Sequence, residues 1–296
     1  MRRHLSEPAC DLRAEHAEGP CWDARTGQLL WVDQFDGLVH LADYDHDIGR
    51  LRLARTFQVG MPVGAVVPAA QGGWMLAGGD GFAHLSVNGR VEPLARPESD
   101  PAVPMRMNDG KCDPSGAFWA GSMAWDKTPG AGTLYRLTGR TVERMRTGLT
   151  ISNGLAWAAN RMYHIDTPTQ RIDRFDLAAD GSLGPPQPVV TIDPAEGSPD
   201  GMCVDEEGCL WVALWNGWAV RRYSPDGDLL AVVGVGAPQV SSCCFGGPDG
   251  DTLFITTSQE DMTSGQRARH RGSGLVFWAE VGIRGCPADM FGGPDG

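Results

Sequence analysis

Four short motifs along the chain join an oxygen-bearing polar side chain to a glycine. They are Glu18-Gly19, Asn108-Asp109-Gly110, Asn153-Gly154 and Asp200-Gly201. Carboxylate and carboxamide oxygens are the ligands that hard divalent cations prefer. Brought to one point, these side chains would favour one Ca²⁺, with Mg²⁺ and Mn²⁺ as alternatives; Zn²⁺ is a second choice because it usually takes His or Cys. The competing interpretation is that each motif is an ordinary turn, since Asn and Asp before Gly are common turn residues.

A repeat in the sequence indicates which elements carry these motifs. Six short apolar segments each follow a turn residue, and these turns are 45, 44, 44, 48 and 42 residues apart. A large aromatic residue comes two to four positions after each turn. The six aromatic residues are Trp31, Trp74, Trp119, Tyr163, Trp211 and Phe254. A fixed period near 45 residues is typical of the blades of a β-propeller.

A second strand-like segment follows each member of the first set. These segments span residues 37–45, 81–89, 132–139, 170–177, 218–224 and 274–282. We therefore expect an all-β fold, a six-bladed β-propeller of four-stranded antiparallel blades, with residues 1–296 forming one domain. An N-terminal strand at about residues 8–16 would pair into the last blade and close the ring.

The repeat also predicts where the polar motifs lie. In a propeller the innermost strand of each blade lines the central channel, and the loop before it projects onto one face. Seven to nine residues before the turn, four of the six blades hold Glu18, Asn108, Asn153 or Asp200. We expect these four side chains to converge on the axis, and the neighbouring glycines to permit close backbone approach.

Long stretches of the chain resemble the senescence-marker-protein, gluconolactonase and regucalcin-like family. The resemblance runs in the same order from about residue 15 to the end of the chain. The segments that carry it are AEGPCW (17–22), MRMNDGKCDPSGAFWAGSM (105–123), ISNGLAW (151–157), SPDGMCVDEEGCLWVALWNG (198–217) and SSCCFGGPDGDTLFITT (241–257). It implies a six-bladed propeller, one axial divalent metal ion, and hydrolysis of sugar acid lactones.

The resemblance also implies roles for individual residues. Glu18, Asn153 and Asp200 match the metal ligands of the family, and Asp200 also matches its proposed proton acceptor. Arg106 and Asn108 match the substrate-contacting Arg and Asn. Asp126 stands where some members carry a substrate-contacting Glu, and its side chain is one methylene shorter. The expected partner is therefore a small-molecule sugar lactone.

Other hydrolytic and nucleotide-binding chemistries lack their motifs in this sequence. No Ser is flanked by Gly at both −2 and +2, so an α/β-hydrolase mechanism has no nucleophile. There is also no Walker loop and no G-x-G-x-x-G. Trp125 and Trp215 follow strands that run outward from the central loops, so each is expected either to wall a substrate pocket or to pack in the core.

The charge and cysteine content narrow the partners and the compartment. A formal net charge of −12 argues against nucleic acid or anionic lipid as a partner. No apolar run approaches the roughly 18 residues that a membrane span needs. Eight cysteines at irregular spacings are typical of reduced thiols, so we expect a cytoplasmic protein. A monomer or a small homo-oligomer is expected.

Three functions fit these observations. The first is a metal-dependent sugar lactonase with Asp200 as base or ligand. The second is a promiscuous esterase or phosphotriesterase that uses the same metal site. The third is a non-enzymatic Ca²⁺-binding or regulatory propeller. Arg106 disfavours a pure Ca²⁺ binder, because a cationic side chain beside a metal ion is useful mainly when an anion or a polarised oxygen lies between them.

Overall fold

Short strands joined by tight turns dominate the structure, a computed structural model that describes residues 1–178 and 180–292. Gly27 and Gly208 show why the strands end where they do. Their φ angles are +66° and +75°, in the left-handed region that residues with a Cβ rarely adopt. Each glycine therefore reverses the chain between the first and second strands of a blade. Within residues 1–178 and 180–292, no helix is long and apolar enough to cross a bilayer.

The first half of the chain forms two short N-terminal strands and three four-stranded antiparallel blades. The N-terminal strands are β1 (Arg2–Leu5) and β2 (Glu7–Pro8). Blade 1 contains β3 (Ala17–Asp23), β4 (Gln28–Asp33), β5 (Leu38–Asp45) and β6 (Arg50–Gln58). Blade 2 contains β7 (Val63–Pro68), β8 (Trp74–Gly78), β9 (Gly81–Leu85) and β10 (Val91–Ala95). Blade 3 contains β11 (Met105–Cys112), β12 (Phe118–Ala124), β13 (Gly132–Thr138) and β14 (Thr141–Leu149).

The second half of the chain repeats the pattern three more times, which confirms the six-bladed propeller. Blade 4 contains β15 (Ser152–Ala158), β16 (Arg161–Asp166), β17 (Arg171–Asp176) and β18 (Gln187–Thr191). Blade 5 contains β19 (Ser198–Val204), β20 (Leu210–Trp215), β21 (Ala219–Tyr223) and β22 (Leu229–Gly234). Blade 6 contains β23 (Val240–Gly246), β24 (Thr252–Thr257) and β25 (Phe277–Glu280). Two 3-10 turns (Thr167–Thr169 and Pro194–Glu196) and one short helix, α1 (Ser264–Arg269), lie between strands.

The N-terminal segment joins the last two blades rather than one. Strand β2 pairs antiparallel with β25 and gives blade 6 its fourth strand. Strand β1 runs parallel to β22 and adds a fifth strand to blade 5. Residues 8–16 contact blade 6 as expected, but not as one continuous strand. The strand covers only Glu7–Pro8, and beyond it Ala9 and Ala14 donate to the backbone oxygens of Val276 and Gly274, and His16 forms an isolated bridge with Ser258.

The hydrophobic core lies between the blades. Each predicted aromatic residue sits on the second strand of its blade and is buried, with Trp74 the most exposed at 5%. Six clusters of buried residues fill the spaces between neighbouring blades. One of them joins Leu29 and Trp31 of blade 1 to Cys244 and Phe254 of blade 6. The ring is therefore closed by the same apolar packing that holds every other pair of blades.

In two blades a buried aspartate fixes the hairpin that presents the blade's tryptophan. One oxygen of Asp113 accepts hydrogen bonds from the backbone of Ser115 and Ala117, and the other accepts from Trp119 Nε1 at 2.7 Å. In blade 5, Asp205 holds its own turn and Trp211 Nε1, at 2.8 Å, in the same way. This pairing sets the register between the inner strands, and hence the height of the polar motifs.

Candidate functional site

Bulges at one level of the ring turn the polar side chains toward the axis. In every blade the register between the first and second strands shifts at the same place. Four of these shifts fall at the polar motifs: Glu18 to Cys21, Met107 to Gly110, Ser152 to Leu155, and Pro199 to Met202. Because a β-bulge re-aims the side chains it contains, the shifts explain how four separate strands present their polar groups to one point.

Glycines let the innermost strands approach closely at this level. A Cβ built on Gly154 would stand 2.6 Å from the backbone oxygen of Asp200, and one on Gly64 would overlap the backbone of Asn108. Side chains at these positions would push blades 4 and 5, or blades 2 and 3, apart. The convergence of the polar groups therefore depends on glycine in the neighbouring strand.

Five of the six expected site residues line one axial cavity of about 90 Å³. They are Glu18, Arg106, Asn108, Asn153 and Asp200, and each is at most 7% exposed. Burial of this many polar groups in one place is costly unless they pair with each other or with a ligand. The cavity is therefore the candidate functional site, which we call the axial site.

Two carboxylates of the axial site, those of Glu18 and Asp200, lie in an environment that disfavours their charged forms. Burial raises the pKa of Glu18 to about 8, and the neighbouring carboxylate of Asp109 adds to the rise. Burial likewise raises the pKa of Asp200 well above its ordinary value, with Glu18 and Asp109 contributing. The Asp200 carboxylate accepts no side-chain hydrogen bond from the described residues, and Glu18 accepts one from Gly19 at 3.0 Å. A bound cation would offset this crowding of negative charge.

The donor set of the axial site fits a hard divalent cation. Glu18 and Asp200 provide two carboxylates and Asn153 provides a carboxamide, all oxygen donors of the kind that Ca²⁺ takes. Among residues 1–178 and 180–292, no three His, Cys, Asp or Glu side chains lie close enough to form a metal site by themselves. The cation would therefore need the Asn153 oxygen together with water or substrate to complete its ligands.

Arg106 lines the axial site, and only one of its guanidinium nitrogens is hydrogen-bonded to the described residues. Its Nη1 donates to Asn108 Oδ1 at 2.6 Å and to the Met107 backbone oxygen at 3.3 Å. The rings of Phe35 and Trp125 flank the guanidinium at 5.6 and 5.4 Å. Burial lowers the pKa of Arg106 to about 10, so the side chain is still charged at pH 7. Its Nε and Nη2 donate to no described residue and can donate to a ligand.

Asn108 connects Arg106 to the candidate metal ligands. Its Oδ1 accepts from Arg106, and its Nδ2 donates to the Ser152 backbone oxygen at 2.9 Å and toward Asn153 Oδ1 at 3.3 Å. Asn108 thus has both ends of its amide occupied by protein groups. In this arrangement its clearest effect is to hold Arg106 and Asn153 in a fixed relation.

The structure does not bring Asp126 together with the other five residues. Its carboxylate is exposed and accepts hydrogen bonds from the backbone and hydroxyl of Thr128, at 2.9 and 2.6 Å. Asp126 does not line the cavity, whereas the next residue, Lys127, does. A substrate contact by Asp126 stays a prediction.

Four polar residues of the axial site were not predicted from the sequence: His16, Lys127, Thr167 and Glu260. Lys127 Nζ lies 3.7 Å from Glu260 Oε1, so two loops of different blades meet over the cavity. His16 Nδ1 lies 2.7 Å from Ser258 Oγ, and burial lowers its pKa to about 3, so the ring is neutral at pH 7. The two-residue period of a strand could have identified His16, because it stands two positions before Glu18.

An outer chamber of about 290 Å³ opens beside the axial site. Arg106, Lys127 and Glu260 line both spaces, and Phe35 and Trp125 wall the outer one. Trp125 is 45% exposed and lines this chamber, so it is not packed in the core. Trp215 lines the axial site itself. Aromatic faces beside charged donors and acceptors suit a polyhydroxylated ligand with apolar C–H faces.

Known proteins share this architecture over nearly the whole chain. Regucalcin of Danio rerio is 34% identical over 288 residues, covering 94% of this chain and 95% of that protein. The 6-deoxy-6-sulfogluconolactonase of Pseudomonas putida is 32% identical over 280 residues, covering 93% of this chain and 94% of that protein. The crystal structure of a calcium-binding protein, regucalcin from Agrobacterium tumefaciens, superposes with a TM-score of 0.90 at 25% identity, covering 98% of each chain.

The match extends to the part of the chain that builds the axial site. Residues 16–259 match the family model described as SMP-30/Gluconolactonase/LRE-like region. This range begins two residues before Glu18 and ends one residue before Glu260, and it contains Arg106, Asn153 and Asp200. The inner strand of every blade, with its bulge, and the five convergent polar residues thus lie within the matched region, and the chain belongs to the SMP-30/gluconolactonase/LRE-like family.

Proposed function

We propose that this protein is a metal-dependent hydrolase that opens the ester bond of a sugar acid lactone. The observation that carries the proposal is the meeting of Glu18, Asn153 and Asp200 with Arg106 in one buried cavity. The relative named as a 6-deoxy-6-sulfogluconolactonase supports the general class of activity. Hydrolysis of a lactone requires a polarised carbonyl, an activated water and a stabilised oxyanion. The axial site has groups that could serve each of these roles.

In this proposal Glu18, Asn153 and Asp200 hold the divalent ion, and Ca²⁺ is the ion that their oxygen donors favour. A metal ion bound there supplies Lewis acidity toward the lactone carbonyl and makes a nearby water more acidic. The raised pKa values of the two carboxyls support this assignment, since both groups lie in an environment that favours a neutralising partner. The calcium-binding relative of known structure points the same way.

Asp200 is the proposed proton acceptor. It has two carboxylate oxygens, and none of the described side chains donates a hydrogen bond to either. One oxygen can serve as a ligand while the other takes the proton of the attacking water. Burial and the neighbouring carboxylates raise the pKa of Asp200, and a bound ion would oppose that rise, so the base would act through the oxygen that does not bind the ion.

Arg106 is proposed to orient the substrate. Its Nη1 is held by Asn108, which fixes the plane of the guanidinium, and its remaining N–H groups can bond a ring or hydroxyl oxygen of the sugar. Phe35 and Trp125 hold the group from the sides. The outer chamber beyond them would take the polyol part of the lactone while the ester lies in the axial site.

We also propose a cytoplasmic location, because the sequence has eight cysteines at irregular spacings. All eight cysteines are free, although Cys203 Sγ and Cys243 Sγ lie only 3.7 Å apart. Thiols this close stay reduced most readily in a reducing compartment.

A pH-indicator assay across five- and six-membered aldonolactones tests the proposal. The protein is stripped with chelator, dialysed, and assayed with and without Ca²⁺ or Mn²⁺, beside Asp200→Asn. We expect metal-dependent acid release from at least one lactone and loss of most of kcat in Asp200→Asn. Hydrolysis of carboxylic esters or of phosphate triesters, without hydrolysis of any lactone, would instead favour the esterase or phosphotriesterase interpretation. Metal binding without hydrolysis of any of these substrates would favour the regulatory one.

A further inference from the structure

Thr167 holds the side chain of Asn153 in one orientation. Thr167 opens the 3-10 turn that follows β16, and its hydroxyl donates to the backbone oxygen of Pro199 at 2.9 Å. A hydroxyl carries one hydrogen, so toward Asn153, also at 2.9 Å, it can only accept. The group that faces Thr167 must therefore be the Asn153 nitrogen, which is the donor end of the amide.

This assignment leaves the oxygen of Asn153 on the side of the axis. There Asn153 Oδ1 lies 3.3 Å from Asn108 Nδ2, a second contact that requires the same orientation. A flipped amide would place its NH2 group against the NH2 group of Asn108 and would leave the Thr167 hydroxyl without a donor. Only the observed orientation offers a metal ion an oxygen, since an amide nitrogen does not bind hard cations.

The same hydroxyl also joins two strands that carry candidate ligands. Pro199, which accepts its hydrogen bond, directly precedes Asp200 on β19, whereas Asn153 belongs to β15 of the neighbouring blade. The backbone of Thr167 is itself fixed, because its N–H donates to the Ile151 oxygen at 3.1 Å. One side chain therefore sets both the orientation of Asn153 and the position of the peptide that leads into Asp200.

We infer that Thr167 is a positioning residue for the metal site, and that its hydroxyl presents the Asn153 oxygen and holds the Asp200 strand beside it. The inference rests on the proposed function, since it assigns Thr167 a role toward the ion that Glu18, Asn153 and Asp200 would bind. Residues that orient metal ligands typically change metal affinity by 10- to 100-fold when replaced. Thr167 thus belongs to the determinants of metal affinity although it need not touch the metal.

Calorimetric titration of chelator-stripped protein with Ca²⁺, and separately with Mn²⁺, tests this role. Thr167→Val keeps the shape of the side chain but removes the hydroxyl, and we expect metal affinity to fall about 10- to 100-fold. Thr167→Ser restores the hydroxyl and should bind within about threefold of the wild type. Circular dichroism of the metal-free variants reports whether each is folded before titration.

Thr169→Val is the matched control. Thr169 lies in the same turn, is exposed, and donates its hydroxyl hydrogen to the Asp166 backbone oxygen at 2.7 Å, away from both ligands. We expect its metal affinity to equal that of the wild type. An equal loss in Thr169→Val would show that the turn as a whole matters, and an equal loss in Thr167→Ser would assign the effect to the methyl group; either result overturns the inference.

The outcomes separate this inference from the proposed function. Wild-type affinity in folded Thr167→Val, together with lost binding in Glu18→Gln, would overturn the role of Thr167 and leave the metal site standing. Binding of neither Ca²⁺ nor Mn²⁺ by the wild type would overturn both. A loss confined to Thr167→Val, rescued by Ser, is the result we expect.

Discussion

Arg106 is the residue whose role can best be separated from metal binding. It contacts Asn108 and two aromatic rings but stands outside the proposed ligand set. We expect Arg106→Ala to keep its metal and to lose about 10- to 150-fold in kcat/KM, because one charged hydrogen bond contributes roughly 1.5–3 kcal/mol. Steady-state kinetics of the metal-loaded variant measures this. A fall in kcat would indicate an action on the developing oxyanion, and a rise in KM alone would indicate ground-state binding.

Arg55→Ala is the control for Arg106→Ala. Arg55 also stacks on an aromatic ring, with its guanidinium 4.3 Å from the centre of Phe57, but it lies on an exposed outer strand. Its removal should leave kcat/KM unchanged. Wild-type kinetics in Arg106→Ala would mean that Arg106 is a structural or rim residue and that the proposed substrate orientation is wrong.

Among the site residues, the sequence predicts the position of those that follow the repeat. Glu18, Asn108, Asn153 and Asp200 occupy one register of the blade, so their convergence could be predicted. The position of the Asp126 carboxylate could not be predicted in this way, because it is held by hydrogen bonds to Thr128, two residues away, and not by its place in the repeat. Lys127 and Glu260 come from loops of different blades, and only the folded ring brings them within 3.7 Å.

At the scale of the strand and turn, Asp113 is expected to be a stability determinant of blade 3. Asp113→Ala would leave the buried Trp119 N–H and two backbone N–H groups without their acceptor. Ser115 is exposed, so water can replace its bond, whereas Ala117 and Trp119 are buried. Each buried unsatisfied group costs roughly 1–3 kcal/mol, so we expect a loss of about 2–6 kcal/mol in the free energy of unfolding. Urea denaturation followed by tryptophan fluorescence measures it.

Asp180→Ala provides the comparison for Asp113→Ala. Asp180 makes a similar local bond to Ser182, at 2.9 Å to its backbone and 2.7 Å to its hydroxyl, but it is exposed. Water replaces such bonds, so the loss should stay below about 0.5 kcal/mol. Similar losses in the two variants would show that the bond to Trp119 adds nothing to stability.

Blade 1 contains a buried histidine that should make the fold acid-sensitive. His40 lies on β5, 2.9 Å from Thr56 Oγ1, and burial lowers its pKa from 6.5 to about 4. As the pH falls below 6.5, His40 becomes protonated in the unfolded chain, whereas in the folded protein it stays neutral until about pH 4. The free energy of unfolding therefore decreases between these values, by on the order of 3 kcal/mol from this one group.

Thermal unfolding of His40→Asn between pH 7 and pH 4 tests this contribution. We expect the variant to lose less stability than the wild type over this range, whatever its stability at pH 7. His46→Asn is the control, because His46 is exposed and should leave the pH dependence unchanged. The same pH dependence in wild type and His40→Asn would mean that His40 is protonated equally easily in both states.

At the scale of the whole molecule, the period of about 45 residues was enough to predict the ring. Every blade repeats one buried aromatic and one bulge, so six copies of a local pattern specify the architecture. The N-terminal segment has no such copy, and its partners β22 and β25 lie more than 200 residues away in the chain. Its pairing with two blades could therefore not be predicted from periodicity.

The closed ring makes the axial site a property of the whole chain, since its residues come from several blades. The central claim is that one divalent ion at Glu18, Asn153 and Asp200 supports lactone hydrolysis. The most direct measurement is the rate of hydrolysis of a responsive aldonolactone by stripped protein, titrated with Ca²⁺ or Mn²⁺, alongside metal content by elemental analysis. We predict activity that rises in proportion to bound metal and saturates at one ion per chain, with Glu18→Gln retaining little of either. Full activity in the stripped protein, or wild-type metal content in Glu18→Gln, would contradict the account.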